Sequence, residues 1–184
     1  MPAKPAFLQR VNKALNPKPE DEPTEVYGYP VKSAADLGVD EYFKKNPHVA
    51  GMAWGGGMNG TAKDEPRTVV ANPYSPHLKD PMARKALYIL EASRHVMDET
   101  GYKPSFKITP GMQEWRKKMF GADSPYSQDD DAFRETVISR HIVGDDAPDD
   151  PALIAEVEKV RTLMDRRAKE QNSFLKRVGA KFGK

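Results

Sequence analysis

Cysteine does not occur in this sequence, which excludes disulfides, thiolate zinc sites and cysteine nucleophiles together. No apolar run approaches the ~20 residues that a membrane-crossing helix requires. The leading segment MPAKPAFLQRVNKALNPKP lacks the apolar core of a signal peptide. Neither sign of charge dominates: 29 basic and 27 acidic side chains leave a formal net charge of +2, too little to imply a nucleic-acid partner by itself. Histidine is sparse, with His48, His77, His95 and His141 in unrelated segments. These absences lead us to expect a soluble chain made in the cytoplasm without an export address.

What is present is punctuation. Sixteen prolines and thirteen glycines divide the 184 residues into short elements with sharp boundaries. Hydrophobic residues make up 38% and charged ones 30%, lean for a self-sufficient core. Length and composition therefore suggest one small domain with arms, segments of a kind that often order only against a partner.

The expected fold is mainly α (α+β): an extended N-terminal arm, a small β-hairpin and a four-helix C-terminal region. Residues 1–26 form the arm, where Phe7, Leu8, Val11 and Leu15 stand at helical spacing before Pro17, Pro19 and Pro23 forbid continuation. Residues 27–150 form a compact core with the hairpin and three helices. Ser33 is a candidate N-cap there, and a further turn at Asp40–Lys45 is expected to pack Tyr42 and Phe43. Val49–Trp54 and Thr68–Ala71 read as hairpin strands joined by the glycine-rich Gly55–Pro66. Asp80-Pro81 opens a helix that Gly101 can close, with Ala83, Ala86, Leu87, Leu90, Arg94 and Met97 as its stripe and Ile89 and Val96 on its flank. Thr109-Pro110 opens a second, carrying Met112, Trp115 and Met119 and ending at Gly121. Asp129–Asp131 opens a third, burying Phe133, Val137 and His141 and stopping at Gly144. Residues 151–184 form a long amphipathic basic helix and tail, opened by Asp150-Pro151, with an apolar seam from Leu153 to Val178 and a stop at Gly179. Charge falls in blocks: Asp123–Asp150 carries nine acids against Arg134 and Arg140, and Lys159–Lys184 nine bases against Asp165 and Glu170. Such blocks suit acidic-to-basic packing of copies, or contact within one chain.

Four stretches bear on chemistry. Gly55, Gly57 and Gly60 can be forced onto a GxGxxG pattern, but no helix follows, and Asp64 and Glu65 oppose a phosphate; the reading is a loop. In EASRHVMDE, Glu91, His95 and Asp98 share one helical face, a geometry that a metal site or an acid–base pair would use. With no further histidine nearby, a charge-paired helix surface is expected, with Arg94 free to pair with an acid such as Glu135. In ISRHIVGDD, His141 lies close to Asp145 and Asp146, yet no serine sits in a strained turn. Ser139 falls mid-helix, where hydroxyls bond back to the preceding turn. The basic tail offers Lys176, Arg177, Lys181 and Lys184 to phosphates or to an acidic groove, without the aromatic interleaving that stacks bases. No catalytic, cofactor-binding or metal residue is assigned.

The run RTVVANPYSPHLKDPMARKALYILEASRHVMDETGYKPSFKITPGMQEWRKKMFG, with the following DDDAFRETVISRHIVGDD, resembles small, uncharacterised virion-associated proteins of short-tailed (podovirus-like) bacteriophages. The resemblance spans roughly residues 67–146 and brings no catalytic residue with it. It implies a setting in a phage particle. The expectation is a non-enzymatic structural component, present in multiple copies and binding portal, capsid or tail subunits. Two other classes stay open: an enzyme acting through Glu91/His95/Asp98 or His141/Asp145, and a nucleic-acid contact protein using the C-terminal helix.

Overall fold

A computed structural model describes residues 23–182, and the side chains of residues 23–173. The arm residues Phe7, Leu8, Val11 and Leu15 lie outside the described residues, as do the side chains of Phe174, Leu175, Lys176, Arg177, Val178 and Lys181 and all of Lys184. The described chain runs β1 (Glu25–Val26), β2 (Tyr29–Lys32), α1 (Asp40–Lys45), β3 (Gly51–Trp54), β4 (Thr68–Ala71), a 3-10 turn (Pro76–Leu78), α2 (Pro81–Thr100), α3 (Pro110–Met119), α4 (Pro125–Gln128), α5 (Asp130–Ile142) and α6 (Pro151–Phe182). This is the expected α+β class: a small sheet near the N-terminal end, then helices. No helix among the described residues is long and apolar enough to cross a membrane.

The anticipated hairpin is formed by β3 and β4, antiparallel from Gly51 opposite Ala71 to Trp54 opposite Thr68. Two further strands extend it to a four-stranded sheet in the order β1-β2-β4-β3. The β2–β4 pair is parallel, through Val31 with Val69 and Lys32 with Val70. β1 and β2 form a tight hairpin whose connecting residues, Tyr27 at φ 49° and Gly28 at φ 79°, both have positive φ, as a two-residue turn of the strand-matching type requires. Gly28 also meets α6, because a Cβ there would stand 3.2 Å from Gln171 Cβ. Glu25 and Val26 thus belong to the sheet and not to an arm, and Val26 is buried.

Successive side chains of β4 face opposite ways. Val69 enters the main core with Tyr88, Ala92, Val96, Phe133, Val137 and Val157. Val70 enters a smaller cluster with Ala34, Val39 and Phe43. Of the two aromatics expected to pack in α1, Phe43 is fully buried and Tyr42 is 48% exposed. No helix follows Ser33. Its hydroxyl donates to Asp36 Oδ2 at 2.7 Å and accepts the Asp36 N–H at 3.1 Å, but the chain leaves as a turn through Gly38 at φ 68°.

α2 is the central element, in contact with β3, β4, α5 and α6. Its ends match expectation: Asp80 Oδ1 accepts the Met82 N–H at 2.9 Å, Pro81 follows, and Gly101 closes it at φ 64°. Its single apolar stripe does not survive. Leu87, Tyr88, Ile89, Glu91, Ala92, Ser93, His95, Val96 and Met97 are all buried, while Ala83, Ala86, Leu90 and Arg94 are only half-buried. A helix covered by a sheet and by two other helices is enclosed nearly all round, so one-face periodicity understates its burial.

Smaller corrections concern helix ends. α3 stops at Phe120 in extended conformation, and Gly121 does not supply a left-handed cap. α5 starts where Asp129 Oδ1 accepts the N–H groups of Asp131 and Ala132. It buries Phe133 and Val137 as expected, but His141 only partly. α6 passes through Gly179 to Phe182, since a glycine inside a helix costs only about 1 kcal/mol. Its fully buried side chains are Leu153, Val157, Val160 and Met164, whereas Ile154, placed in the seam by the sequence, is 39% exposed.

Candidate functional site

The glycine-rich loop spends several of the backbone donors a phosphate would need on itself. The N–H of Gly56 donates to Glu65 O at 2.8 Å, that of Gly57 to Ala62 O at 3.0 Å, and that of Met58 to Gly55 O at 3.2 Å. An anion nest needs such N–H groups unpaired and convergent. Glu65 further accepts from Trp54 Nε1 at 2.7 Å, so the acid that seemed to oppose a ligand is a brace of the loop.

Glu91, His95 and Asp98 do share a face of α2, but Glu91 and His95 are turned into the sheet and only Asp98 lies on the expected charged surface. Glu91 is 2% and His95 0% exposed. Glu91 Oε2 accepts the Ala53 N–H at 3.0 Å, and Arg94 Nη1 lies 3.2 Å from both Glu91 oxygens. Arg94 therefore pairs within its own helix and not with Glu135. Its other terminal nitrogen donates to Tyr126 Oη at 3.1 Å and Thr136 Oγ1 at 3.2 Å. Burial pushes the Glu135 carboxyl upward, with Arg94 opposing.

The His95 tautomer follows from its neighbours. Nε2 lies 2.8 Å from the carbonyl oxygen of Thr68, an acceptor, so Nε2 carries the hydrogen. Nδ1 lies 3.4 Å from Arg67 Nη1, and a guanidinium only donates, so Nδ1 presents its lone pair. Burial lowers the His95 pKa foremost; the Thr68 carbonyl raises it, the Arg67 charge lowers it, and Asp98 and Glu99 raise it, with a net fall. The ring is neutral and both nitrogens are occupied.

Around this imidazole the fold stacks groups from four elements and a loop. Tyr29 of β2 lies on the His95 ring at 4.9 Å between centroids. Arg167 of α6 lies over Tyr29 at 5.1 Å. The Tyr29 hydroxyl donates to Glu99 Oε2 at 2.5 Å, the same oxygen that Arg167 Nε approaches at 3.3 Å. Arg67, just before β4, completes the array through Asp98 Oδ2 at 2.6 Å. Burial and the Glu99 carboxylate raise the Tyr29 pKa. A general base needs a lone pair within reach of a substrate proton; that of His95 Nδ1 faces Arg67, and the Glu91 carboxylate is buried against Ala53 and Arg94. The array ties α2 to the sheet and to α6.

The second histidine is placed differently from expectation. His141 Nε2 lies 3.4 Å from Asp149 Oδ1, not beside Asp145 or Asp146. Asp145 is held by Arg140 Nη1 at 2.5 Å, and the Asp146 carbonyl accepts from Trp115 Nε1. Ser139 is buried, donates to Glu135 O at 2.9 Å and lies 2.8 Å from Ser93 Oγ, the back-bonding expected of a mid-helix hydroxyl. Among the described residues no group of three or more His, Cys, Asp or Glu side chains is arranged to hold a metal ion.

No local pattern pointed to Arg67, Tyr29 or Arg167, whose contacts to α2 span 28 to 70 residues. The available hint was chemical: a buried histidine needs an acceptor and a donor, and RT at Arg67–Thr68 supplies both beside the strand. Compared with family models, curated proteins and solved structures, the chain finds no match.

Proposed function

We propose that this chain is a non-enzymatic structural component of a tailed-phage particle, binding portal, capsid or tail subunits in several copies. The observation that carries the reading is α6. Met164 is its last fully buried residue among the described side chains, yet the helix continues to Phe182, about five further turns. Arg167 and Gln171 still touch Tyr29 and Gly28, and a helix of this length is suited to gripping a neighbour. Its sequence past Ser173, FLKRVGAKFGK, combines apolar and basic residues, and the acidic block at Asp123–Asp150 offers a complementary surface on a second copy or another subunit. The commitment of Glu91 and His95 to internal bonds favours a scaffold over a hydrolase. The resemblance of residues 67–146 to virion-associated proteins supplies the setting.

Mass spectrometry of purified particles tests the proposal. Peptides of this chain at several copies per particle are expected, and their absence from intact particles refutes it. A nucleic-acid role is the second reading, favoured by the unbroken helical backbone that carries Lys176, Arg177 and Lys181. It predicts DNA binding with a steep salt dependence that disappears when residues 178–184 are removed.

A further inference from the structure

The parallel strands β2 and β4 end side by side at Lys32 and Ala71. Beyond their carboxyl ends, where open sheets commonly take ligands, lies a cavity of about 300 Å³. Lys32, Lys79 and Arg84 line it, with Leu78 and Tyr88 as apolar wall, and no carboxylate is among its lining residues. Nearby acids are committed elsewhere: Asp36 to Ser33 at 2.7 Å, Asp40 to Lys44 and the Tyr74 hydroxyl, each at 2.9 Å, and Asp80 to the Met82 N–H at 2.9 Å. Arg84 donates to the Leu78 carbonyl at 3.2 Å, which fixes its stem beside the cavity.

The second observation is Ser75. It lines the same cavity, is 3% exposed, and its Oγ has no hydrogen-bond partner. Orphaned buried hydroxyls are rare in native structures. Nor is this one loosely held: Asn72 pins the NPYS turn, donating to Val49 O at 2.6 Å and accepting the Tyr74 N–H at 2.8 Å. A rigid turn thus holds an unused hydroxyl within the wall of a cavity lined by three cations and no anion.

We propose that this cavity binds a small phosphate-bearing anion, either free phosphate or a phosphomonoester. The Ser75 hydroxyl donates to a phosphate oxygen, Lys32, Lys79 and Arg84 supply the countercharge, and Leu78 and Tyr88 receive the organic body of an ester. Charge-assisted bonds of this kind are the strong ones in such sites, and the volume matches the lower range of small-ligand pockets.

Isothermal titration of the full chain at low ionic strength, with phenyl phosphate, inorganic phosphate and benzyl alcohol, tests the site. Saturable one-site binding of a phosphate is expected, with none for the alcohol. Tighter binding of phenyl phosphate assigns an ester; tighter binding of inorganic phosphate assigns the free ion. Ser75→Ala and Lys79→Gln should each weaken binding about tenfold or more. Ser75→Ala should do so without lowering the melting temperature of the unliganded protein, because it removes no existing bond. Lys79 is exposed, so Lys79→Gln keeps the test independent of folding. Failure of the wild type to bind either phosphate at millimolar concentration overturns the proposal, as does wild-type affinity in Lys79→Gln.

Discussion

Acidification reaches the centre of this fold through His95. Imidazole ordinarily titrates near pH ~6.5, and in the folded chain burial, chiefly, holds the His95 pKa below that value. The sign of the consequence follows from proton uptake. Above pH ~6.5 the ring is neutral in folded and unfolded chains alike, and its contribution does not change with pH. Below ~6.5 the unfolded chain takes the proton and the folded chain does not, so stability falls as pH falls. The loss ends once the folded-state pKa is passed. Its slope approaches about 1.4 kcal/mol per pH unit, so between pH 7.5 and 5.5 His95 can remove at most about 1.4 kcal/mol, a sizeable share of the ~5–15 kcal/mol typical of a domain. Protonation would also oblige Nδ1 to give up its lone pair against Arg67, 3.4 Å away, with the Thr68 carbonyl, Asp98 and Glu99 in compensation. Urea unfolding at both pH values, for wild type and His95→Gln, measures this directly, because carboxylates and the other three histidines contribute alike to both proteins. The wild type should lose about 1 kcal/mol more than the variant. Parallel pH dependences would refute the reasoning. So would an imidazole that titrates at or above pH ~6.5 by NMR in the folded protein, a measurement that does not depend on the variant folding.

Glu91→Ala should destabilise by about 2–4 kcal/mol, since it orphans the Ala53 N–H and leaves the half-buried Arg94 with neutral partners only; a urea-derived loss below about 1 kcal/mol would contradict the bonding described. Gly28→Ala should cost about 1–2 kcal/mol through its positive φ, with a further penalty from Gln171 Cβ at 3.2 Å, and an unchanged melting temperature would argue against the β1–β2 turn. Phe133→Ala empties a fully buried site beneath the Arg116 guanidinium, 4.6 Å from the ring, and should cost about 3–5 kcal/mol by denaturant titration.

Local chemistry carried most of what the sequence made legible. Asp80-Pro81, Thr109-Pro110, Asp129 and Asp150 each announce a helix start within a few residues, because capping is decided by the residues that are capped. The Gly51–Ala71 hairpin was legible for the same reason. β2 was not, because Pro30 argues against a strand, and its pairing with β4 joins segments nearly forty residues apart. The same holds at the site. Spacing alone puts Glu91 and His95 on one face, but it cannot say whether that face meets water or a sheet. Only assembly brings Ala53, Arg67 and Tyr29 to them, and that assembly turns an apparent acid–base pair into a set of tethers.

One of those tethers governs how the chain behaves before it is fully folded. β3 is an edge strand, and at Ala53 both outward-facing backbone groups are spoken for: Glu91 accepts the N–H at 3.0 Å, and Asn59 Nδ2 donates to the carbonyl at 2.5 Å. The opposite edge, β1, is only two residues long. An intact molecule therefore offers little template to a stray strand from another chain. Half of that protection, the Glu91 carboxylate, is borrowed from α2, so undocking of α2 bares the Ala53 N–H beside the strongly β-forming TVVA. Docking of the central helix thus withdraws the Ala53 N–H from strand-to-strand pairing, the kind of contact to which partly folded chains are exposed.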